Sequence, residues 1–337
     1  MRIAIPKERY PLEKRVMVTP TTTQKLVNEG HDVFVENGAG DGVNISDEQY
    51  IESGAQIMSD ARRMYENIGM IVKLKAPSIE EFTLMNKTIL VCMLHSEQNP
   101  ERIYYAGSQN LTVVELENIR DTKNHRIINQ TKITGEVGVY YALRHSEKMP
   151  WDMKALVLGY GNVSTGALKA CHQLGMETKI LRKMEFKYIE DYLKDIDLLI
   201  NGIFWPASAR AKREYIVTRD HLKKTSPNLI ILDLSADFPS PFETIRPTTY
   251  SQPYYLEDGR VHISLYGYPG LVPITSTKVY SQQIYPIISL IAQNNGLRGI
   301  GNCGDLGMAI KKAILDPQKE EWEKYKPQDI LSGSKIE

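Results

Sequence analysis

Short apolar runs alternate with amphipathic stretches along the first third of the chain. The runs are rich in Val, Ile and Leu and too short to be helices. They therefore predict β-strands at Ile3–Ile5, Val33–Val35, Met70–Leu74, Ile89–Leu94 and Leu111–Leu116. Helical patterns lie between them, for example at Thr21–Glu29 and Asp47–Ser53. Strands that alternate with helices predict a mostly parallel sheet covered on both faces.

The same alternation begins again in the second half, after a predicted helix at Gly135–Glu147. Further strands are predicted at Ala155–Leu158, Lys179–Leu181, Leu198–Ile200, Leu229–Leu232 and Val261–Leu265. An apolar helix at Ser281–Ala292 follows, and the charged tail QKEEWEKYKPQD is predicted to form an exposed helix or arm. We therefore expect two α/β domains.

Composition narrows the function classes. The 337 residues carry 41 basic and 41 acidic side chains, which gives no electrostatic reason to expect nucleic acid or a membrane as partner. The three cysteines fit neither a disulfide framework nor a zinc site, so we expect no bound metal. The start, MRIAIPKERY, lacks the apolar core of a signal peptide, and no apolar run is long enough to span a membrane. These features predict a soluble cytoplasmic protein.

The segment LVLGYGNVSTG, residues 156–166, has the layout of a dinucleotide-binding loop between a strand and a helix. The first glycine of such a loop makes the tight turn, and the second lets the backbone approach a pyrophosphate at the helix N-terminus. Ser164 occupies the position of the third glycine, where a small residue preserves helix–strand packing. We predict cofactor binding by Gly159, Gly161, Asn162, Val163 and Ser164. The alternative is a tight turn without a ligand.

Two basic residues follow the next predicted strand. Arg182 and Lys183 stand where NAD-binding proteins usually carry an acidic residue for the ribose 2′-hydroxyl. A guanidinium group can bind a 2′-phosphate through charge-assisted hydrogen bonds, whereas a carboxylate would repel it. We therefore predict NADP(H) as the cofactor. The alternative is that both residues are solvated surface charges.

An ordered set of segments resembles the alanine dehydrogenase/pyridine nucleotide transhydrogenase family. It comprises MRIAIPKERYPLEKRVMVTP, IVKLKAP, ADFPSPFETIRPTTYSQP, DGRVHISLYGYPG and VPITSTK. The resemblance implies two Rossmann-like domains with a cleft between them. A nucleotide-binding domain, at about residues 135–280, is inserted into a discontinuous catalytic domain formed by 1–134 and 281–337. It also implies a homo-oligomer.

The resemblance further implies roles for residues at matching positions. Arg15 and Lys75 match the residues that hold the substrate carboxylate, His95 matches an acid/base, and Asp237 matches an aspartate near the nicotinamide. These residue types suit the chemistry, since Arg clamps a carboxylate and a His or Lys near neutral pKa can move protons. Glu117 also matches a family glutamate, and the alternative is that it is a capping or edge residue.

Several features depart from alanine dehydrogenases. They are the Arg182–Lys183 pair, a shorter stretch before the glycine loop, Gly267–Tyr268 in place of asparagine and methionine, and Ile274 in place of arginine. The chain more closely resembles the N5-(carboxyethyl)ornithine synthase branch of the family.

That branch implies NADPH-dependent condensation of pyruvate with the side-chain amine of ornithine or lysine, followed by imine reduction. The alternatives are reductive amination of a 2-oxo acid with ammonia, and a nucleotide-binding subunit without this chemistry. Candidate contacts to a second amino acid are Tyr266, Tyr268 and Asp258.

Overall fold

The computed structural model describes residues 1–317 and 321–327, which fold into two compact α/β units. The first unit comprises Met1–Asn129 and the described residues from Pro273 onwards, and the second is Gln130–Val272. These divisions fall a few residues before the expected boundaries, after residues 134 and 280, because the helices that begin at Thr131 and Pro273 each belong whole to one unit.

The strands bear out the predicted alternation and add short edge strands. They are β1 (Arg2–Ile5), β2 (Asp32–Glu36), β3 (Gln56–Met58), β4 (Met70–Lys75), β5 (Ile89–Met93), β6 (Thr112–Glu115), β7 (Lys154–Leu158), β8 (Glu177–Leu181), β9 (Leu198–Asn201), β10 (Ile230–Asp233), β11 (Tyr255–Glu257), β12 (Arg260–Ile263) and β13 (Ile314–Leu315).

The helices lie between the strands and after them. They are α1 (Pro20–Asn28), α2 (Asp47–Glu52), α3 (Ala61–Met64), α4 (Ile79–Leu84), α5 (Glu101–Ser108), α6 (Thr131–Ala142), α7 (Asn162–Gln173), α8 (Ile189–Tyr192), α9 (Ala207–Lys212), α10 (Arg219–Lys223), α11 (Pro273–Gln293) and α12 (Gly304–Lys312). Among the described residues no helix is both long and apolar enough to cross a membrane.

The first unit is built on a seven-stranded sheet with the order β13-β6-β5-β4-β1-β2-β3. All pairings are parallel except that of β13 with β6. The alternating side chains of β1 pack on opposite faces, Ile3 and Ile5 with α11 and Ala4 with the opposite core. The C-terminal part of the chain therefore completes the core of the N-terminal domain.

The second unit has a six-stranded sheet with the order β11-β12-β10-β9-β7-β8, in which only β11 is antiparallel. Helices α6 and α7 cross closely at two glycines. A Cβ on Gly135 would lie 2.1 Å from the Val163 carbonyl oxygen, and one on Gly166 would lie 2.1 Å from that of Lys132. Two α/β units, one inserted into the other, confirm the predicted fold class.

The predicted C-terminal arm is only partly described. Residues 318–320 and those after Pro327 lie outside the described residues. Trp322–Tyr325 forms one turn of 3-10 helix, and the Trp322 ring lies 5.4 Å from that of Tyr104 on α5. An exposed helix or arm was expected here, but Trp322 in this turn packs on the first unit.

Candidate active site

The carboxyl ends of β1, β4 and β5 bring polar residues to one edge of the first sheet. Lys75 is the last residue of β4, His95 follows β5, and Arg15 lies in the segment after β1. Neighbouring parallel strands end at the same edge, where open α/β sheets bind ligands. The β4–β5 register shifts between Val72 and Lys75, and His95 has a φ of +52°, so the backbone is irregular here.

Arg15 is buried and is oriented by an acidic neighbour. Its Nε and Nη2 atoms donate to the two Glu13 carboxylate oxygens at 2.6 and 2.5 Å, and Nη1 donates to Ser276 Oγ at 3.3 Å. Burial alone would raise the pKa of Glu13, but the hydrogen bonds and charge of Arg15 outweigh it and lower that pKa. Glu13 therefore stays ionised and fixes the guanidinium plane.

Lys75 is a lysine with a lowered pKa. Burial and the charge of Arg15 lower its pKa to about 8, against the opposing pull of Glu13 and Glu8. Its Nζ lies 5.1 Å from the centre of the Tyr10 ring. Arg15 therefore lies close enough to Lys75 for the two positive charges to repel each other.

His95 and Glu117 form the third part of this edge. The backbone N–H of His95 donates to Glu117 Oε1, and the His95 ring Nδ1 lies 3.7 Å from the same oxygen. Burial raises the pKa of Glu117 to about 7, and its Oε2 is buried without a hydrogen-bond partner. Glu117 is thus a buried carboxyl group that can carry a proton at neutral pH.

The expectation that His95 titrates near neutral pH is wrong for the ligand-free protein. Burial, together with the charges of Lys75, Arg126 and Arg102, lowers its pKa to about 4. The imidazole is therefore neutral at pH 7. Lys75 and Glu117, with pKa values of about 8 and about 7, are therefore closer to neutrality than His95.

A buried charge network supports the strand that carries Lys75. Glu8 accepts hydrogen bonds from the backbone N–H groups of Leu74 and Lys75 at 2.6 and 3.2 Å. Lys73 Nζ lies 3.8 Å from Glu8 and 2.7 Å from Glu81, and all three side chains are buried. Glu8 therefore fixes the strand end from which Lys75 extends.

The glycine loop of the second unit lies at the equivalent edge of its sheet, between β7 and α7. Gly159 has a φ of +90°, and a Cβ there would lie 2.5 Å from Ile203. A Cβ on Gly161 would meet nothing within 4 Å, so this glycine borders open space. Asn162 and Val163 begin α7, and the N–H groups of the first turn of a helix have no partner within the helix.

Ser164 has a packing role. Its side chain is fully buried, and its single hydroxyl proton is shared between the carbonyl oxygens of Leu158 and Gly202, which lie 3.3 and 3.1 Å from Oγ. The hydroxyl thus joins the ends of β7 and β9. The side chain of Ser164 therefore stabilises the turn, and only its backbone is available to contact a cofactor.

A pocket of about 570 Å³ opens beside this loop. The exposed Arg182 and Lys183, directly after β8, line it together with Gly159 and Tyr160. The apolar part of the lining comprises Ile203, Phe204, Trp205 and Pro206. The structure thus brings the predicted basic pair to the same pocket as the glycine turn.

Asp237 lies in the loop after β10, with a side chain about one-third exposed and its Oδ1 3.8 Å from Arg210 Nη1. Tyr268, a candidate substrate contact, is buried, and its hydroxyl donates to the Asp233 carbonyl oxygen at 2.7 Å. Asp258 lies in the β11–β12 hairpin, at the amino end of β12, where it pairs with Arg219 at 3.4 Å. Tyr268 is therefore a core residue, and Asp258 is at the wrong edge of the sheet.

Sequence reasoning missed the residues that orient this machinery. Glu13, Glu8 and Tyr160 become meaningful only through their contacts with Arg15, Lys75 and Arg182, respectively. The only local indication of this role for Glu13 in the sequence is its position, two residues before Arg15. Among the described residues no cluster of His, Cys, Asp or Glu could hold a metal ion.

These features define a two-domain Rossmann-type protein with a dinucleotide-type loop. The family model described as "Alanine dehydrogenase/PNT, N-terminal domain" matches residues 4–132, and the corresponding C-terminal domain matches 149–303. The chain therefore belongs to the alanine dehydrogenase/PNT family, as its motifs predicted. It is an oxidoreductase of this family, and the dehydrogenases of the family bind nicotinamide nucleotides.

Individual relatives agree with this assignment. The chain is 26% identical over 338 residues to the alanine dehydrogenase of Halomonas elongata, covering 90% of each sequence. It is 28% identical over 335 residues to that of Methanococcus maripaludis, covering 88% of this chain and 89% of the relative. A solved L-alanine dehydrogenase superposes with a TM-score of 0.86 at 25% identity, over 96% of this chain and 99% of that one. A transhydrogenase from Sinorhizobium meliloti, at 19% identity and a TM-score of 0.76 over 86% of this chain and 94% of that one, shares the fold.

Proposed function

We propose that the chain catalyses NADP(H)-dependent reductive amination of a small 2-oxo acid, with ammonia as the amine. The observation that carries this proposal is the cluster of Arg15, Lys75, His95 and Glu117 on one sheet edge, within electrostatic range of one another. The similarity to proteins named alanine dehydrogenase, over about nine-tenths of both chains, supports the same chemistry.

The two cations fit the substrate's carboxylate. Glu13 accepts hydrogen bonds from Nε and Nη2 of Arg15. The proposed contact with the substrate carboxylate is therefore through Nη1, which also donates to Ser276. Lys75 supplies a second positive charge beside Arg15, whose own charge is partly neutralised by Glu13. A carboxylate bound between them would place the 2-oxo group near Lys75, which then polarises the ketone.

The neutral imidazole of His95 suits a base that accepts a proton from the attacking amine. As water leaves, the same group returns the proton to the carbinolamine oxygen. Glu117, with its pKa near 7, can exchange protons with His95 through the Nδ1 side. Proton transfer is thus divided between groups whose pKa values lie apart.

The second unit fits a nicotinamide nucleotide. The open space at Gly161 and the first turn of α7 can accommodate a pyrophosphate, and Gly159 supplies the turn that only glycine readily adopts. When bound, the cofactor supplies the hydride that reduces the imine. Arg182 and Lys183 are the groups of this pocket that would contact a ribose 2′-phosphate, which supports the choice of NADP(H).

A second candidate is condensation of the 2-oxo acid with the side-chain amine of ornithine or lysine. It is favoured by Ile274, which is exposed at the start of α11, two residues before the Arg15 partner Ser276. Alanine dehydrogenases usually have arginine there. An apolar side chain in place of a cation would tolerate a second amino acid that brings its own positive charge.

The test is oxidation of NADPH in the presence of pyruvate and one amine at a time. Dependence on ammonia supports reductive amination, and dependence on ornithine or lysine supports the condensation reaction. The Arg15→Met variant is the control, because it should raise the KM for pyruvate far more than that for the amine. Absence of amine-dependent oxidation with every amine and with both NADPH and NADH would refute both candidates.

A further inference from the structure

An aromatic residue stands between the two glycines of the nucleotide loop. Tyr160 is 62% exposed and lines the pocket beside the loop. The turn itself does not need this ring, because Gly159 provides the positive φ and Ser164 provides the packing. A large exposed aromatic side chain at this position therefore calls for another explanation.

The ring contacts the basic group that the neighbouring strand contributes. The Arg182 guanidinium carbon lies 5.6 Å from the centre of the Tyr160 ring, within cation–π range. The two residues follow β7 and β8, which are adjacent in the sheet, and both line the same pocket. Tyr160 and Arg182 thus meet because of the strand order, although they are distant in sequence.

The backbone of Arg182 is fixed separately. Its N–H donates to Glu185 Oε2 at 2.8 Å, which anchors the main chain but leaves the exposed side chain with many rotamers. A guanidinium that lies over the face of a ring keeps N–H groups available to an anion, because the ring itself accepts no conventional hydrogen bond from them. Part of the side-chain entropy is then already lost before a ligand binds.

We propose that Tyr160 is a positioning residue that holds the Arg182 guanidinium over the pocket for the ribose 2′-phosphate of the nucleotide. The inference rests on the proposed use of NADP(H). It adds the specificity element that the glycine pattern does not reveal: the residue between the two glycines selects the phosphorylated ribose indirectly, through an arginine on the next strand.

The test is calorimetric binding of adenosine 2′,5′-bisphosphate and of adenosine 5′-monophosphate to the full chain. Tyr160→Leu should weaken binding of the bisphosphate about two- to fivefold, the size expected for an exposed cation–π pair, and leave the monophosphate unchanged. Tyr160→Phe, which keeps the ring, should bind both ligands as the native protein does. Tyr188→Leu is the matched control, because Tyr188 is exposed and pairs with Lys187 at 4.7 Å but is absent from the described lining of the pocket.

Arg182→Met separates this inference from the cofactor proposal. If the bisphosphate loses its advantage over the monophosphate in Arg182→Met, the basic residue binds the 2′-phosphate as proposed. If the advantage survives, the use of NADP(H) through Arg182 is refuted. If Arg182→Met removes the advantage but Tyr160→Leu does not reduce it, or weakens both ligands equally, the positioning role is refuted. An equal loss in Tyr160→Phe and Tyr160→Leu would refute it too.

Discussion

Replacing Lys75 by methionine should make the folded protein more stable while it removes the activity. Burial and the charge of Arg15 disfavour the ammonium group of Lys75 by more than Glu13 and Glu8 favour it, and its pKa is about 8 in place of 10.5. This difference means that folding disfavours the charged form. Methionine keeps most of the aliphatic chain but carries no charge, so it removes the cost without leaving a cavity.

The magnitude follows from the pKa. A fall from 10.5 to about 8 corresponds to roughly 3 kcal/mol at pH 7, and partial solvent screening reduces the expected gain to about 2–3 kcal/mol. Below pH 8 the lysine is charged in the folded and the unfolded state, and the folded state bears the full cost. Between about pH 8 and 10.5 the folded state loses the proton first, so the native protein regains stability as the pH rises.

Urea unfolding at pH 7 and pH 9 measures both effects. The free energy of unfolding of the Lys75→Met variant should exceed that of the native protein by about 2–3 kcal/mol at pH 7. At pH 9 this difference should be smaller by about 1 kcal/mol. The matched control is Lys73→Met, on the same strand. Lys73 is buried between Glu8 and Glu81, so its removal leaves uncompensated buried carboxylates and should destabilise the fold by about 3–5 kcal/mol.

Two results would refute the reasoning. One is a Lys75→Met variant less stable than the native protein at pH 7, which would mean that Lys75 is a net stabilising cation. The other is a stability difference that stays constant between pH 7 and pH 9, which would mean that Lys75 does not titrate in this range. Either result would also contradict the lowered pKa of Lys75, on which its proposed role in the site depends.

Three further predictions concern the other site residues. His95→Ala should lower kcat by at least about 100-fold with the fold intact by circular dichroism; near-normal turnover would exclude its role in proton transfer. Glu117→Gln should remove an inflection near pH 7 from the profile of kcat/KM, because the pKa of this buried carboxyl is about 7; a profile with the native inflection would assign that ionisation to another group. Arg182→Asp should reduce the ratio of kcat/KM for NADPH to that for NADH by about 10–100-fold, and an unchanged ratio would contradict the predicted cofactor.

The central strands were predictable because parallel strands buried on both faces are continuous apolar runs. The strands β4, β5, β7 and β9 are of this kind. The strands that the pattern missed, β3, β11 and β13, are short edge strands with mixed polarity, whose pairing depends on a partner elsewhere in the chain. The helix predicted at Gly135–Glu147 ends earlier than expected. The α-helix stops at Ala142, and the chain continues as a 3-10 turn to His145.

The nucleotide loop could be predicted from local sequence, whereas the cluster of Arg15, Lys75 and His95 could not. The glycine loop and Arg182 lie on consecutive strands of one βαβ unit, so local pattern alone indicated them. Arg15, Lys75 and His95 are far apart in sequence and were proposed from family resemblance, because only the order of β1, β4 and β5 in the sheet brings them together. Glu13 and Glu8 act through these residues, and a sequence without its contacts does not show which carboxylate meets which cation.

The pKa of His95 shows why residue type alone misjudged the chemistry. An isolated histidine titrates near 6.5, but burial and three neighbouring cations lower the value here to about 4. A bound 2-oxo acid would bring a carboxylate to Lys75, one of those cations, and offset its effect. The imidazole would then become more basic when the substrate is in place. On the proposed function, the cationic edge therefore has two effects: it attracts the anionic substrate, and it lowers the pKa of His95 by a smaller amount once the carboxylate of that substrate is bound.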